Sequence, residues 1–451
     1  MSDWSDADDG RSLISHLTRP SSAPRADYRR ALFHEVAMSL GMTLADPATV
    51  IPVLLRELRA SNTIIGLLPS IRFGGWLLPQ LFAAGYLQSK QRKVPYVVGL
   101  DVARSLSYVL IALLVIYHQH IPSGLAIGVF LAVFGFTRMT AGSATVGRFD
   151  VVGKVVPRNR LAEFYATRGI WTGAGGLAAG VFIGVVLASG LRFPVNYATL
   201  FIASAVVFTT GALVFGLVRE GGGSVSLRAR SPLANLGNAL TVVRRDPLYR
   251  RYLTYRLSLE VMGVAAPFYM VYAADVWGVP VAMAGTYVAA GTAASLLANL
   301  HWRRRAQHAG NVTVLTESVL LGALAPLLPL LLTWFHGGQP APGGSWVPAL
   351  VFLLAFVVQG AGNSGREICN NAVLINMAPD SDRPSYIGLT NTITGLLTFT
   401  PILAGRLIDE YGYQPLLLFA VLAALVTWWA AARVREPLAA EAICREAGDD
   451  G

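Results

Sequence analysis

The chain has 451 residues, of which 54% are hydrophobic and only 14% are charged, and its formal net charge is +10. Soluble domains carry about a quarter charged residues because they need a polar surface, so this composition excludes an ordinary soluble globular protein. The positive charge could serve nucleic-acid binding, but it is spread over short polar segments between apolar blocks, which favours a membrane topology and no nucleic-acid partner.

The apolar residues form blocks of roughly twenty or more, the length at which a helix crosses a hydrocarbon core about 30 Å thick. Residues 1–30 start with MSDWSDADDG, which lacks the apolar core of a signal peptide, and we expect a polar tail there. Twelve transmembrane helices follow, predicted at residues 31–57, 62–84, 95–117, 122–147, 162–189, 196–218, 249–276, 281–302, 312–335, 346–372, 387–405 and 414–433. The predicted fold class is an all-α integral membrane protein.

A polar segment divides six predicted spans from six. We expect a tail at residues 1–30, a six-helix bundle at 31–218, a basic linker at 219–248, a second six-helix bundle at 249–434 and a tail at 435–451. Pro47 in span 1 and Pro267 in span 7 fall within one residue of each other when the halves are offset by 219 residues, which indicates two pseudo-symmetric halves. Paired interrupted helices are typical of a central binding site, with ordinary membrane-helix prolines as an equally good alternative.

The positive charges predict the orientation of the chain. Lysine and arginine are frequent in the segments on one side of the predicted spans, whereas the other side holds only Arg56, Arg59, Arg192 and Arg406. The positive-inside rule therefore places the linker and both termini in the cytoplasm of a multi-pass plasma-membrane protein.

Ionisable and polar side chains inside the predicted spans are the sharpest functional signal, because they are costly in lipid unless they are paired or face water. The candidates for a substrate or proton site are Asp46, Arg72, Arg138, Arg256, Glu260, Gln359, Asn363, Arg366 and Glu367.

Some of these candidates have a structural explanation. Arg256 and Glu260 are four residues apart, and Asp101 and Arg104 are three apart, so each pair shares a helix face and is expected to neutralise itself. Asp46 has no such neighbour in its own helix. It is a candidate proton carrier, with an ion pair to Arg72 as the alternative.

Span 10 carries a polar stripe. Gln359, Asn363, Arg366 and Asn370 recur at four, three and four residues, which traces one face of a helix whose other faces are apolar. We expect this stripe to line a polar cavity, with interhelical hydrogen bonding as the alternative.

Motifs for enzyme chemistry are absent from the sequence. Cys369 and Cys444 fit neither a disulfide framework nor a metal site, and no HExxH, Walker or nucleophile-elbow pattern occurs. We therefore expect no enzyme activity, no cofactor and no metal, and a monomer whose partners are a small-molecule substrate, protons and the lipid bilayer.

Three short motifs resemble those of the major facilitator superfamily of secondary transporters. The loop from Gly85 to Lys93, with Lys90 and Arg92, is similar to the family's signature gating loop, but Ser89 stands where the usual aspartate is found and Asp101 could take its place. Arg138 with Gly142 is similar to the family's Arg-x-x-x-Gly motif in span 4, and Pro157 with Arg160 to its Pro-x-x-Arg element. Span 5 lacks the Gly-Pro pair of the drug antiporters.

The resemblance implies a fold and a mechanism. In this family spans 1, 4, 7 and 10 line a central cavity, spans 2, 5, 8 and 11 form the interface between rocking halves, and spans 3, 6, 9 and 12 face lipid. The chain is then a secondary transporter that moves a small solute by alternating access with protons. The alternatives are a drug-type exporter, which the missing Gly-Pro pair disfavours, and a non-transporting receptor or scaffold, which the short termini disfavour.

Overall fold

A computed structural model describes residues 25–88, 90–157, 160–220, 243, 245–336, 346–377 and 383–435. Within these residues the chain forms fifteen α-helices and no β-strand. The helices are α1 (Arg25–Leu44), α2 (Val50–Glu57), α3 (Asn62–Gln88), α4 (Val94–Ile116), α5 (Ser123–Val155), α6 (Leu161–Ala188), α7 (Val195–Gly216), α8 (Pro247–Met262), α9 (Tyr269–Asp275), α10 (Met283–Ala309), α11 (Asn311–Phe335), α12 (Trp346–Met377), α13 (Arg383–Leu397), α14 (Thr400–Tyr411) and α15 (Tyr413–Ala432).

Eight helical segments of the described chain are long and apolar enough to cross a membrane. They coincide with predicted spans 3, 4, 5, 6, 7, 9, 10 and 12. The other four predicted spans are helical as well, at α1–α2, α3, α10 and α13–α14. The all-helical membrane fold is therefore confirmed, whereas the count of twelve crossings stays a prediction.

Three predicted spans are broken rather than continuous. Span 1 is interrupted at residues 45–49, span 7 by a 3-10 segment at Gly263–Phe268, and span 11 at residues 398–399. Pro47 and Pro267 lie inside the first two breaks, and Pro401 follows the third. Proline lacks the N–H that a helix needs and its ring clashes with the preceding turn, so a break at each position is expected.

The segment boundaries also differ from the prediction. Helix α1 starts at Arg25, so the first turns of the helix belong to what was expected to be the tail at 1–30. Helix α8 starts at Pro247, where the carboxylate of Asp246 accepts from the N–H groups of Leu248 at 2.9 Å and Tyr249 at 3.1 Å. Residues 1–24, most of the 219–248 linker and residues 436–451 lie outside the described residues.

The helices pack in two groups. Most contacts of α1–α7 are with one another, as in α4 against α5 and α7, and most contacts of α8–α15 are also internal, as in α11 against α12 and α15. The groups meet where α3 crosses α14 and where α6 crosses α10. These are the elements of spans 2, 11, 5 and 8, which the family resemblance assigns to the rocking interface.

Several close contacts between the two groups lie at the end of the bundle that holds Asn62. The backbones approach so closely there that a Cβ atom on Gly405 would overlap the carbonyl of Asn62, and one on Gly285 would overlap the backbone of Gly180 and Gly184. Small residues allow such approaches between membrane helices. An ion pair from Arg56 to Asp275, at 2.6 Å, joins the groups at the same end.

Asp409 of α14 adds a second polar contact at this end. Its carboxylate accepts from the backbone N–H groups of Asn62 at 3.0 Å and Thr63 at 2.9 Å, which are free donors because α3 begins there. The two helix groups are thus held together at the Asn62 end by backbone contact, an ion pair and a helix cap.

Candidate functional site: an arginine-lined cavity between two helix groups

A cavity of about 630 Å³ lies between the two helix groups. It is the place where the structure brings together most of the residues predicted for a substrate or proton site. Seven of those nine candidates line it: Arg72, Arg256, Glu260, Gln359, Asn363, Arg366 and Glu367. Asp46 and Arg138 line an adjoining cavity of about 290 Å³, which shares Arg72 with the first.

The polar stripe of span 10 lines the larger cavity along its whole length. Gln359, Asn363, Arg366 and Asn370 all contribute to its wall, as the four-three-four spacing predicts. Asn370 is also tied to α8, because Tyr255 donates its hydroxyl proton to the Asn370 side-chain oxygen at 3.0 Å. The stripe thus lies in the cavity wall, while Asn370 and Arg366 also form hydrogen bonds to neighbouring helices.

Three arginines of the two cavities have no carboxylate partner within the described residues. Arg366 is only 7% exposed and donates to the Ser318 carbonyl at 2.8 Å and to the Asn363 side-chain oxygen. Arg138 donates to the Met42 sulfur at 3.0 Å, and its Nε lacks a hydrogen-bond partner. The guanidinium of Arg72 lies 5.5 Å from the centre of the Phe73 ring. Neutral partners leave the charge of all three uncompensated.

Arg256 and Glu260 form the predicted pair within α8, at 3.5 Å. This is long for a charge-assisted hydrogen bond, which usually measures about 2.7–2.9 Å. Glu260 also lines a third cavity of about 170 Å³, together with Pro47, Pro69, Pro267 and Pro401. The helix breaks thus converge beside an acid that is only loosely paired.

Asp46 caps a helix break instead of pairing with an arginine. One carboxylate oxygen accepts from the backbone N–H of Ala48 and from the hydroxyl of Thr49, each at 2.9 Å. The alternative ion pair with Arg72 is not among the ion pairs of the described residues. Asp46 therefore supplies the hydrogen bonds that the interrupted backbone at Pro47 needs.

A buried ionic network in α1, α4, α5 and α6 was missed by sequence reasoning. His34 is fully buried and its Nε2 lies 2.8 Å from Asp101, which in turn forms the predicted pair with Arg104 at 2.8 Å.

Glu35 extends the network, since it binds Arg148 at 2.8 Å and Arg168 at 2.9 Å. Only the Asp101–Arg104 spacing is local enough to be visible in the sequence, because the other partners are far apart along the chain. The adjacent His34 and Glu35 near the start of the first span were the available signal.

The loop that resembles the family's gating loop is bound to its own helix group. Lys93 pairs with Asp150 at 2.7 Å, and Lys90 lies 4.9 Å from the centre of the Tyr86 ring. Glu220 accepts from the Lys93 backbone N–H at 2.5 Å. Asp101 is buried against His34 and so does not replace the missing loop aspartate. The acidic residues that contact this loop are Asp150, through the Lys93 side chain, and Glu220, through the Lys93 backbone. Of the other residues of this motif, Arg92 is exposed and Gly85 lies within helix α3. Residue 89 lies outside the described residues.

Comparison with known proteins agrees with the motifs. Residues 252–443 match the sequence model of the family described as "Major Facilitator Superfamily". Two mycobacterial relatives, uncharacterized protein Rv2209 of Mycobacterium tuberculosis and uncharacterized protein Mb2232 of Mycobacterium bovis, are each 25% identical over 391 residues, which is 85% of this chain and 72% of each relative.

The fold is shared with solved transporter structures. The nucleoside transporter NupG matches with a TM-score of 0.66 at 14% identity, covering 90% of this chain and 100% of that one. A D-xylose–proton symporter matches with a TM-score of 0.63 at 14% identity, covering 92% and 100%. An auto-inhibited peptide transporter of the POT family matches with a TM-score of 0.67 at 12% identity, covering 92% and 98%.

The described chain thus shares the fold of these solved transporters, and eight of its helical segments are long and apolar enough to cross a membrane. The match of residues 252–443 to the family model supports the resemblance to the major facilitator superfamily. The family and the shared fold indicate a transporter rather than an enzyme.

The buried network predicts a large cost for removing its central acid. Asp101→Asn would leave His34 and Arg104 buried without a negative partner, and we expect the free energy of unfolding to fall by about 3–5 kcal/mol. The control variant Glu317→Gln breaks the partly exposed Arg305–Glu317 ion pair, and it should lower the free energy of unfolding by at most about 1 kcal/mol. Chemical unfolding of both variants in detergent checks this. Equal losses would show that the Asp101 contacts do not stabilise the first helix group.

Proposed function

We propose that the chain transports a small organic anion across the plasma membrane by alternating access, coupled to protons. The observation that carries the proposal is the set of three cavity arginines, Arg72, Arg138 and Arg366, that lack carboxylate partners in the described residues. A cation at membrane depth is costly unless it is neutralised or hydrated. A water-filled cavity that receives an anion satisfies both conditions.

The architecture proposed for this transport is twelve spans in two six-helix halves, with both termini and the linker in the cytoplasm. The packing of α1–α7 and α8–α15 in two groups supports the halves. The positive-inside rule then assigns the tightly held Asn62 end to the outside. The halves are clamped there, so the cavity of this conformation opens toward the cytoplasm, as one state of an alternating-access cycle requires. A monomer provides the whole pathway.

Charge favours an anion over the other cargo classes. The two cavities together present Arg72, Arg138 and Arg366 with hydrogen-bonding capacity to spare, whereas the arginines of the smaller cavity's wall that meet Glu35 or Asp101 each bind a carboxylate. A guanidinium binds carboxylate and phosphate oxygens in a two-pronged geometry. The two acids of the larger cavity, Glu260 and Glu367, are outnumbered by its three arginines, so its net charge is positive, which disfavours a drug-type exporter of cations. A receptor or scaffold would have no use for a charged pathway through the bilayer.

Glu260 is the proposed proton carrier. It faces the cavity one turn before the Gly263–Phe268 break and is held by Arg256 at only 3.5 Å. Protonation would remove its charge and free Arg256 for the anion, so that proton and anion enter together. The D-xylose–proton symporter shows that a protein of this fold couples a solute to protons. Asp46 suits this role less well because its hydrogen bonds hold the α1–α2 break.

The anion proposal predicts a charge-selective ligand response. Purified protein is heated with matched probes that differ in charge, succinate against succinamide and glucose 6-phosphate against glucose. We expect at least one anion to raise the melting temperature, because a ligand that binds the native state stabilises it, and its neutral partner to have no effect. Stabilisation by neutral probes alone would contradict the proposal.

Variants locate that response in the cavity. Arg366→Gln and Arg138→Gln each remove a charged donor worth about 1.5–3 kcal/mol, so the anion should bind at least about tenfold more weakly. Arg192→Gln, in an exposed loop, is the matched control and should bind as the wild type does. Equal affinity in all three variants would place the anion elsewhere.

The proton proposal predicts a separation between Glu260 and Asp46. In liposomes, Glu260→Gln should lose the acceleration of anion uptake by an imposed pH gradient and keep anion exchange at equal pH, since its side chain cannot ionise. Asp46→Asn should keep the pH response, because the asparagine oxygen can accept the same two hydrogen bonds. The reverse pattern would assign the proton to Asp46. The anion used in this uptake assay is the one that raises the melting temperature most.

A further inference from the structure

A separate basic cavity lies where the C-terminal end of α15 meets the beginning of α8. Its volume is about 420 Å³, and its wall includes Arg251, Thr254, Trp429, Arg433 and Arg435 together with two alanines. It shares no residue with the cavities of the transport pathway. Its function is therefore a separate question.

The wall of this cavity is strongly positive. It contains three arginines and no acidic residue, and none of the three forms an ion pair within the described residues. Three guanidinium groups around one space repel one another unless an anion lies between them. Phosphate is the anion that fits best, because its several oxygens accept from more than one arginine at once.

The position of the cavity indicates where that phosphate comes from. The guanidinium of Arg433 lies 3.5 Å from the centre of the Trp429 ring, a stacking contact that fixes its orientation. Trp429 itself is half exposed in the last turn of α15, and tryptophan favours the membrane–water boundary. The preceding turns expose Leu418, Leu422 and Leu425, an apolar face suited to acyl chains.

We propose that this α8–α15 basic cavity binds the phosphate headgroup of an anionic phospholipid of the cytoplasmic leaflet. Basic cavities between membrane helices on this side of the bilayer match such headgroups in charge and depth. The lipid phosphate would bridge Arg251 of α8 with Arg433 and Arg435 at the end of α15. It would thereby stabilise the contact between the two helices.

The test measures lipid binding to the full-length protein in neutral detergent. Melting temperature is recorded with added dioleoyl phosphatidylglycerol, with dioleoyl phosphatidylcholine and with inorganic phosphate at equal concentration. We expect only phosphatidylglycerol to raise it. An equal rise with phosphatidylcholine would show acyl-chain binding without headgroup recognition, and an equal rise with inorganic phosphate would show a site for soluble phosphate; either result overturns the proposal.

A matched pair of double variants locates the effect. Arg251→Gln with Arg433→Gln should weaken phosphatidylglycerol binding at least tenfold, measured by native mass spectrometry. Arg303→Gln with Arg304→Gln removes the same charge from exposed positions of α10 and should bind phosphatidylglycerol as the wild type does. An equal loss of phosphatidylglycerol binding in both double variants would show general charge attraction and refute the site. The single variant Arg435→Gln, at the exposed end of the described residues, should also weaken phosphatidylglycerol binding and carries less risk to folding.

Discussion

The cost of placing charge at membrane depth governs this structure. Each buried ionic group has to find a partner, reach water or bind a ligand. One set follows the first course: His34, Asp101 and Arg104 lie together in the interior of the first helix group, and Glu35 binds two arginines beside them. The cavity arginines lack such partners, since Arg366 and Arg138 are left with neutral groups where the two helix groups part. In the proposed transport, water and the anionic cargo neutralise this residual charge.

The broken helices serve the same site. Proline removes a backbone hydrogen bond in mid-span, and in lipid the freed groups must be satisfied nearby. Three breaks and Pro69 of α3 meet at one small cavity, with Glu260 and Arg72 in its wall. Asp46 supplies hydrogen bonds at one of these breaks. The three helix breaks therefore lie where the two groups face each other, which is where the proposed alternating-access cycle would bend.

The positions of most helices could be predicted from the sequence, because helices in lipid are long, apolar and separated by polar segments. Spacing along one helix is also visible, so the Asp101–Arg104 and Arg256–Glu260 pairs and the span 10 stripe were predicted. Contacts between distant segments were not: His34 with Asp101, and Glu35 with Arg148 and Arg168, depend on how helices pack. The hydrogen bonds of Asp46 were not predicted, because a lone acid in a span suggests an ion pair or a proton, whereas this carboxylate also caps a helix break. The third break, just before Pro401, was not predicted, because the comparison of the two halves paired only Pro47 with Pro267.

Thiol labelling measures whether water reaches the cavity wall. In a variant with Cys369→Ala and Cys444→Ala, Asn363→Cys places a single thiol in the cavity, and Leu425→Cys places one on the outward apolar face of α15 as the control. A membrane-impermeant maleimide is applied from each side of oriented vesicles. We expect fast labelling at position 363 from the cytoplasmic side, slowed by the stabilising anion, and little labelling at position 425. Labelling at position 363 no faster than at position 425, or unaffected by the anion, would contradict a water-filled anion pathway between the two helix groups.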